Sequence, residues 1–111
     1  MIYTSMTIKA MKLAYKAHEG QVDRSGVPYI FHPIHLAEQM DEEISCTVAL
    51  LHDVVEETEV TLAELEQQFP PDVTEAVCLL THDKSVDYYD YVRNLKPNVI
   101  AKKVKLADLT H

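Results

Sequence analysis

The chain has 111 residues, 47% of them hydrophobic and 25% charged, with a formal net charge of −8. That length fits one domain with a modest core, and that composition is neither disordered nor membrane-embedded. The negative balance argues against a surface built for nucleic-acid phosphates.

A small anionic substrate remains compatible with that charge, provided metal ions or a few placed cations overcome the overall field. No apolar run approaches membrane-spanning length. The start, Met1-Ile2-Tyr3-Thr4-Ser5, lacks the basic, apolar, small-residue order of a signal peptide, so a cytoplasmic setting is expected. The only two glycines are Gly20 and Gly26, and the Thr, Val and Ile residues form no alternating runs. Strands therefore have little support, and the fold is expected to be all-α.

Ile8, Met11, Tyr15 and His18 recur at helical spacing. They predict a first helix from about Thr4 to Glu19, stopped at Gly20. His18 lies on that stripe and reads as a satisfied core histidine.

The segment from Gln21 to His35 holds the turn chemistry: Gly26 permits positive φ, and Pro28 and Pro33 fix φ. Pro33 suits the first turn of a helix running to about Met40. His32 then sits just before that helix, rigidified from both sides, as a metal ligand with little ordering entropy left to lose. His35 reads as a supporting or surface residue.

Asp41-Glu42-Glu43 complements the N-terminus of the next helix. Ile44, Val48, Leu51 and Val55 recur at steps of four, three and four, so this helix is expected to continue through His52-Asp53-Val54-Val55-Glu56-Glu57-Thr58. On it His52 and Glu56 are i,i+4 neighbours, as are Asp53 and Glu57. An imidazole and several carboxylates at one helix end are costly to crowd together unless a cation sits among them. Imidazole plus carboxylate suits Mn, Fe, Zn or Ni. The alternative is a solvated acidic helix end.

Thr61-Leu62-Ala63-Glu64 has the form of a capping box and predicts a short helix to about Phe69. Pro70-Pro71-Asp72 breaks it and starts another, with Val73, Val77 and Leu80 as its stripe. Thr81-His82-Asp83-Lys84 ends that helix with a second His-Asp pair. Here no glutamates follow, and a surface turn is the expected reading. Cys46 and Cys78 each fall in an apolar helical pattern and read as buried thiols in a reducing compartment. A helix follows Ser85, with tyrosines on more than one face and core packing as their default. Pro97 opens the last helix, lined by Ile100, Val104 and Ala107, with Lys102, Lys103 and Lys105 as the densest basic cluster. Asp108 stands next to the buried line and needs a partner, which a metal shared with His52 and Asp53 would supply.

Three stretches carry a resemblance: Gly26-Val27-Pro28-Tyr29-Ile30-Phe31-His32-Pro33, then Ala49-Leu50-Leu51-His52-Asp53-Val54-Val55-Glu56-Glu57-Thr58, then Val104-Lys105-Leu106-Ala107-Asp108. In this order they resemble the HD superfamily of metal-dependent phosphohydrolases. More narrowly, they resemble the hydrolase domain of RelA/SpoT-type alarmone enzymes and their small stand-alone relatives.

The resemblance implies an HD-domain helical bundle over residues 1–111. It implies one divalent ion, Mn2+ in the usual case, held by His32, His52, Asp53 and Asp108. The ion would acidify a bound water and polarise a phosphoryl oxygen. Glu56 and Glu57 would orient or deprotonate the attacking water. Arg24 and Ser25 would meet the nucleotide. The implied reaction removes the 3′-pyrophosphate of guanosine tetra- or pentaphosphate (ppGpp) to give GDP or GTP. The expected partner is this small nucleotide, with no nucleic acid and no membrane, and a homo-oligomer is compatible with the reading.

The chain departs from the family pattern in three places. Glu56-Glu57 stands where Glu-Asp is usual, Asp23 stands where a basic residue often precedes the Ser-Gly, and the chain is expected to be cut short at His111. Two alternatives go with these departures. One is an HD phosphohydrolase for another nucleotide or phosphoester, and the other is a metal-binding, ligand-sensing module with little activity.

Overall fold

Every residue from Ser45 to Leu51 is buried. A helix apolar on all sides belongs in the middle of a bundle, and in the computed structural model, which describes residues 1–110, this one does. The described elements are α1 (Ser5–Ala17), α2 (Phe31–Glu38), α3 (Glu43–Leu51), α4 (Val54–Glu57), α5 (Leu62–Glu66), α6 (Pro71–Leu80), α7 (Tyr88–Leu95) and α8 (Val99–Thr110). Helices α1, α2, α6 and α8 pack around α3, and α5 and α7 pack on α6. One hydrophobic cluster runs through all of them. Among the described residues the only β pairing is an isolated bridge between Val22 and Pro28. No helix among them is long and apolar enough to cross a membrane. His111, on which the expectation of a cut-short chain rests, lies outside the described residues.

Helix α1 starts at a reciprocal cap. The Thr4 hydroxyl accepts from the Thr7 amide at 3.2 Å, and the Thr7 hydroxyl accepts from the Thr4 amide at 2.8 Å. The helix buries Thr7, Ala10 and Ala14, with His18 as its buried C-cap. The predicted stripe holds at His18, which is buried, and at Met11, which packs against the core, but Ile8 is 39% and Tyr15 64% exposed and the fully buried line runs one position earlier. Small side chains at 7, 10 and 14 let the α1 backbone come close to α3, and the larger residues are turned to the flanks.

Gly26 adopts φ +85°, the left-handed region that the turn requires. The Asp23 carboxylate organises the rest of that loop, accepting from the amides of Ser25 at 2.8 Å and Val27 at 3.0 Å. Helix α2 begins at Phe31, so His32 lies inside its first turn rather than before it. Pro33 is tolerated there because a first-turn residue has no intrahelical acceptor for its missing N–H.

The expected continuous helix through 44–57 is broken. Helix α3 stops at Leu51, Asp53 sits at φ −106° and ψ 0°, and α4 is a single turn. The Ala49 carbonyl, which a continuing helix would offer to the Asp53 amide, receives the His52 ring N–H at 2.7 Å. A side chain competing with the backbone for that acceptor favours a break at this point.

Helix α5 ends at Glu66, short of the expected Phe69, although the Thr61 hydroxyl does cap the Glu64 amide at 3.2 Å. Helix α6 buries Val73, Val77 and Leu80 as the spacing predicts. Cys46 is buried but Cys78 is exposed, and both thiols are free. Cys78 follows Val77 and falls outside the buried stripe. In α7, Tyr91 is buried while Tyr88 and Tyr89 face solvent. In α8, Ala101 and Val104 are fully buried and Ile100 and Ala107 only partly so. Lys103 pairs with Asp41 and ties α8 to the entrance of α3.

Candidate metal centre

Three parts of the chain meet where α3 breaks. Ligand-type atoms of His32, His52 and Asp53 all lie within 4.8 Å of one another. Asp108, near the end of α8, places Oδ1 2.8 Å from His32 Nε2 and 3.9 Å from His52 Nε2. The two imidazoles stand edge to face with centroids 5.5 Å apart. The structure thus gathers all four residues that the three motifs single out.

His52 defines the site chemically. A carbonyl only accepts, so the bond to the Ala49 oxygen places the proton on Nδ1. In the neutral ring the Nε2 lone pair then faces the cluster. That nitrogen is buried and makes no hydrogen bond among the described residues, even though Asp53 Oδ2 is 3.1 Å away. The distance alone suggests a bond, but the alignment is missing, so the lone pair is left for something between the residues. An imidazole whose other N–H is tied to a backbone carbonyl is the usual metal-ligating arrangement. Two imidazoles and two carboxylates suit a divalent ion of borderline hardness, and these residues fit one.

The electrostatics point the same way. Burial opposes ionisation of Asp53, yet the His52 ring and the Tyr29 hydroxyl outweigh it and hold the carboxyl down to about 2. The His32 ring beside Asp108 holds that carboxyl below the usual range. Burial also works against charge on His52, but Asp53 beside it pushes the ring above its ordinary value. The cluster therefore attracts positive charge, and a proton and a metal ion compete for the same place.

The acidic pair after His52-Asp53 is split. Glu56 lines a cavity of about 110 Å³ with His52, Asp53 and Asp108, and its Oε1 accepts from the His82 amide at 2.8 Å. Glu57 lines a separate groove of about 910 Å³, opposite Lys9, Lys12 and Lys16 of α1. Desolvation, then the Glu56 and Asp53 charges, raise the Glu57 carboxyl above its usual value. The larger groove holds none of the four clustered residues, so the chemistry belongs to the smaller cavity. Arg24 and Ser25 are exposed at the loop tip and line neither cavity.

Several site residues were not assigned from the sequence. Tyr29 donates its hydroxyl to Asp53 Oδ2, and burial followed by that bond raises its pKa, so it stays a donor. Lys105 lines the cavity, with Nζ 3.7 Å from Asp108 Oδ2 and 5.4 Å from the centre of the Tyr91 ring. Burial, then the Glu56 charge, push the Tyr91 hydroxyl up to about 12, and it donates to the Leu80 carbonyl at 2.7 Å. His82 also lines the cavity, so the second His-Asp pair does contribute to the wall. The sequence signal was available for His82 and Lys105, a second His-Asp pair and a basic cluster, but nothing in it gave their direction.

An HD-domain family model matches residues 10–105. The bifunctional (p)ppGpp synthase/hydrolase SpoT of Escherichia coli K12 is 35% identical over 94% of this chain, and the chain spans 18% of that protein. A guanosine-3′,5′-bis(diphosphate) 3′-pyrophosphohydrolase of Danio rerio, MESH1, is 36% identical over 95% of this chain and 66% of its own length. A solved structure described as a metazoan ortholog of SpoT that hydrolyses ppGpp superposes with a TM-score of 0.78 at 30% identity. That superposition covers 97% of this chain and 68% of the solved one.

Proposed function

The chain belongs to the HD-domain family, and on that premise we propose that it is a metal-dependent hydrolase removing the 3′-pyrophosphate of ppGpp-type nucleotides. One observation carries the reading: His32, His52 and Asp53 converge within 4.8 Å around a buried imidazole nitrogen that has no hydrogen bond among the described residues. The names of the similar proteins from Escherichia coli and Danio rerio supply the substrate class.

In this reading His32, His52, Asp53 and Asp108 hold one divalent ion, most simply Mn2+. When bound, the ion supplies Lewis-acid polarisation of the scissile phosphoryl group and lowers the pKa of water. Glu56, lining the same cavity, accepts the proton of the attacking water, and the His82 amide fixes the direction of its carboxylate. Glu57 follows it toward the neighbouring groove, its own carboxyl raised by desolvation and by the Glu56 and Asp53 charges. The water oxygen bonds to the phosphorus attached to the ribose, the phosphorus–ribose oxygen bond breaks, and the ribose oxygen leaves with the proton that Glu56 took from the water. The products are inorganic pyrophosphate and GDP or GTP. Lys105 on the cavity wall offers the nearest cation to a phosphate oxygen. Arg24 and Ser25, exposed at the loop tip, are the residues this reading assigns to contact with the nucleotide.

The test is pyrophosphate release from ppGpp by metal-replete protein, abolished by chelation and restored by Mn2+. Absence of turnover under those conditions overturns the reading. The placement of Arg24 and Ser25 outside both cavities favours one second reading, hydrolysis of a different nucleotide or phosphoester. A substrate panel separates the two.

A further inference from the structure

Gln21 lies outside the metal cluster, yet its side chain bonds at both ends. Its Oε1 is 2.8 Å from Nδ1 of His18, and its Nε2 donates to the Glu57 carbonyl at 2.8 Å. The two contacts fix each other's sense. A carbonyl only accepts, so the amide nitrogen faces Glu57 and the amide oxygen faces the ring N–H of His18. His18 is 2% exposed, is the C-cap of α1, and stacks on Tyr29 with ring centroids 4.9 Å apart. Its other nitrogen is buried without a hydrogen-bond partner among the described residues.

The backbone of Gln21 continues the chain of bonds. Its carbonyl accepts from the Tyr29 amide at 2.9 Å. Tyr29 donates its hydroxyl to Asp53. The Asp53 carbonyl accepts from the Glu57 amide at 2.9 Å. The bonds form a closed circuit running Gln21, Tyr29, Asp53, Glu57 and back to Gln21.

Helix α4 needs such a clamp. It has four residues, starts at a broken helix and carries two exposed glutamates. One turn is far too short to be stable alone, and the carbonyl of its last residue has no helical partner. Gln21 satisfies that carbonyl from the loop just after α1, where its amide oxygen is held by His18, the C-cap of that helix.

We infer that Gln21 is a positioning residue, whose side chain clamps α4 into the register that places Glu56 in the small cavity. The inference deepens the proposed hydrolase reading and rests on it for its catalytic consequence. The Gln21 side chain bonds to neither the metal cluster nor the residues lining the small cavity, so its effect is exerted through the Glu57 carbonyl.

Gln21→Met keeps the volume and removes both side-chain bonds. Its kcat is expected to fall roughly ten- to hundredfold, the effect of a displacement of about 1 Å in a positioned group. KM should stay within about twofold and bound metal per chain should be unchanged. Amide exchange at Glu57 and Thr58 should quicken. Gln21→Glu repeats the amide pattern only when protonated, so its activity relative to wild type should rise as pH falls, whereas that of Gln21→Met should not. Wild-type kcat and exchange in Gln21→Met would overturn the inference, as would a loss that follows KM or metal content rather than kcat. If the wild-type protein does not hydrolyse ppGpp, the hydrolase reading fails, and the exchange measurement still decides whether Gln21 clamps α4.

Discussion

The buried Nε2 of His52 lies 3.1 Å from Oδ2 of Asp53, although the two residues are consecutive. Consecutive residues of a regular helix point about 100° apart, so an intact helix would aim them at different surroundings. The break between α3 and α4 turns both toward one cavity. It also leaves Glu56 on the near side and Glu57 toward the neighbouring groove.

Removing His52 or the Asp53 charge should remove the metal. In the wild-type protein, Mn2+ at a hundred times its dissociation constant should add about 2.7 kcal/mol of stability through mass action. His52→Ala and Asp53→Asn should show no Mn2+-dependent rise in melting temperature and no pyrophosphate release. A variant that keeps the thermal shift would show that its residue is not a ligand.

Tyr29→Phe deletes the donor to Asp53 while keeping the ring against His18. Loss of a bond supporting a ligand typically weakens metal binding by about ten- to a hundredfold. Isothermal titration with Mn2+ should show that loss, with the helical circular dichroism unchanged. An unaltered affinity would reduce the hydroxyl to a bystander.

The register of α1 can be tested by overpacking. Ala14 is fully buried, so Ala14→Leu should cost about 1–3 kcal/mol in chemical denaturation. Tyr15 is 64% exposed, so Tyr15→Ala should change stability by less than about 0.5 kcal/mol. The opposite ranking would restore the stripe that the larger residues suggest.

The Asp41–Lys103 pair gives a pH-dependent signal. The Lys103 ammonium bonded to Asp41 holds its carboxyl below the usual range, and the bond raises Lys103 in turn. Because the folded value of Asp41 is lowered, its contribution is present above the ordinary carboxylate value and is lost as pH falls through the lowered one. Asp41→Asn should therefore lower the urea midpoint slightly at pH 7 in low salt. The two proteins should converge as pH is taken well below the ordinary carboxylate value. High salt should narrow the gap at pH 7, because both groups are exposed. A gap that persists in acid would assign the effect to something other than the ion pair.

Much of the fold is legible along the chain. The lack of alternating runs gives an all-α protein, the Pro70-Pro71 break gives the start of α6, and its spacing gives Val73, Val77 and Leu80 as the buried line. The three motifs single out His32, His52, Asp53 and Asp108, which the structure brings together. These features depend on residue identity and local spacing, and both are written in the sequence.

Other features were decided only by tertiary structure. The stripe of α1 shifts because close approach to α3 favours Ala10 and Ala14 over the larger Ile8 and Tyr15, and a periodicity count gives most weight to the large residues. The helix breaks at His52 because an imidazole takes the Ala49 carbonyl, a competition that spacing does not record. The Asp23 carboxylate is occupied by the amides of its own loop, and Gln21 is turned onto Glu57 thirty-six positions away. Sequence names the groups that can ligate, donate or accept. Only the packing of α1, α2 and α8 around α3 fixes which of them come within 3 or 4 Å, because those distances depend on contacts between residues far apart in the chain.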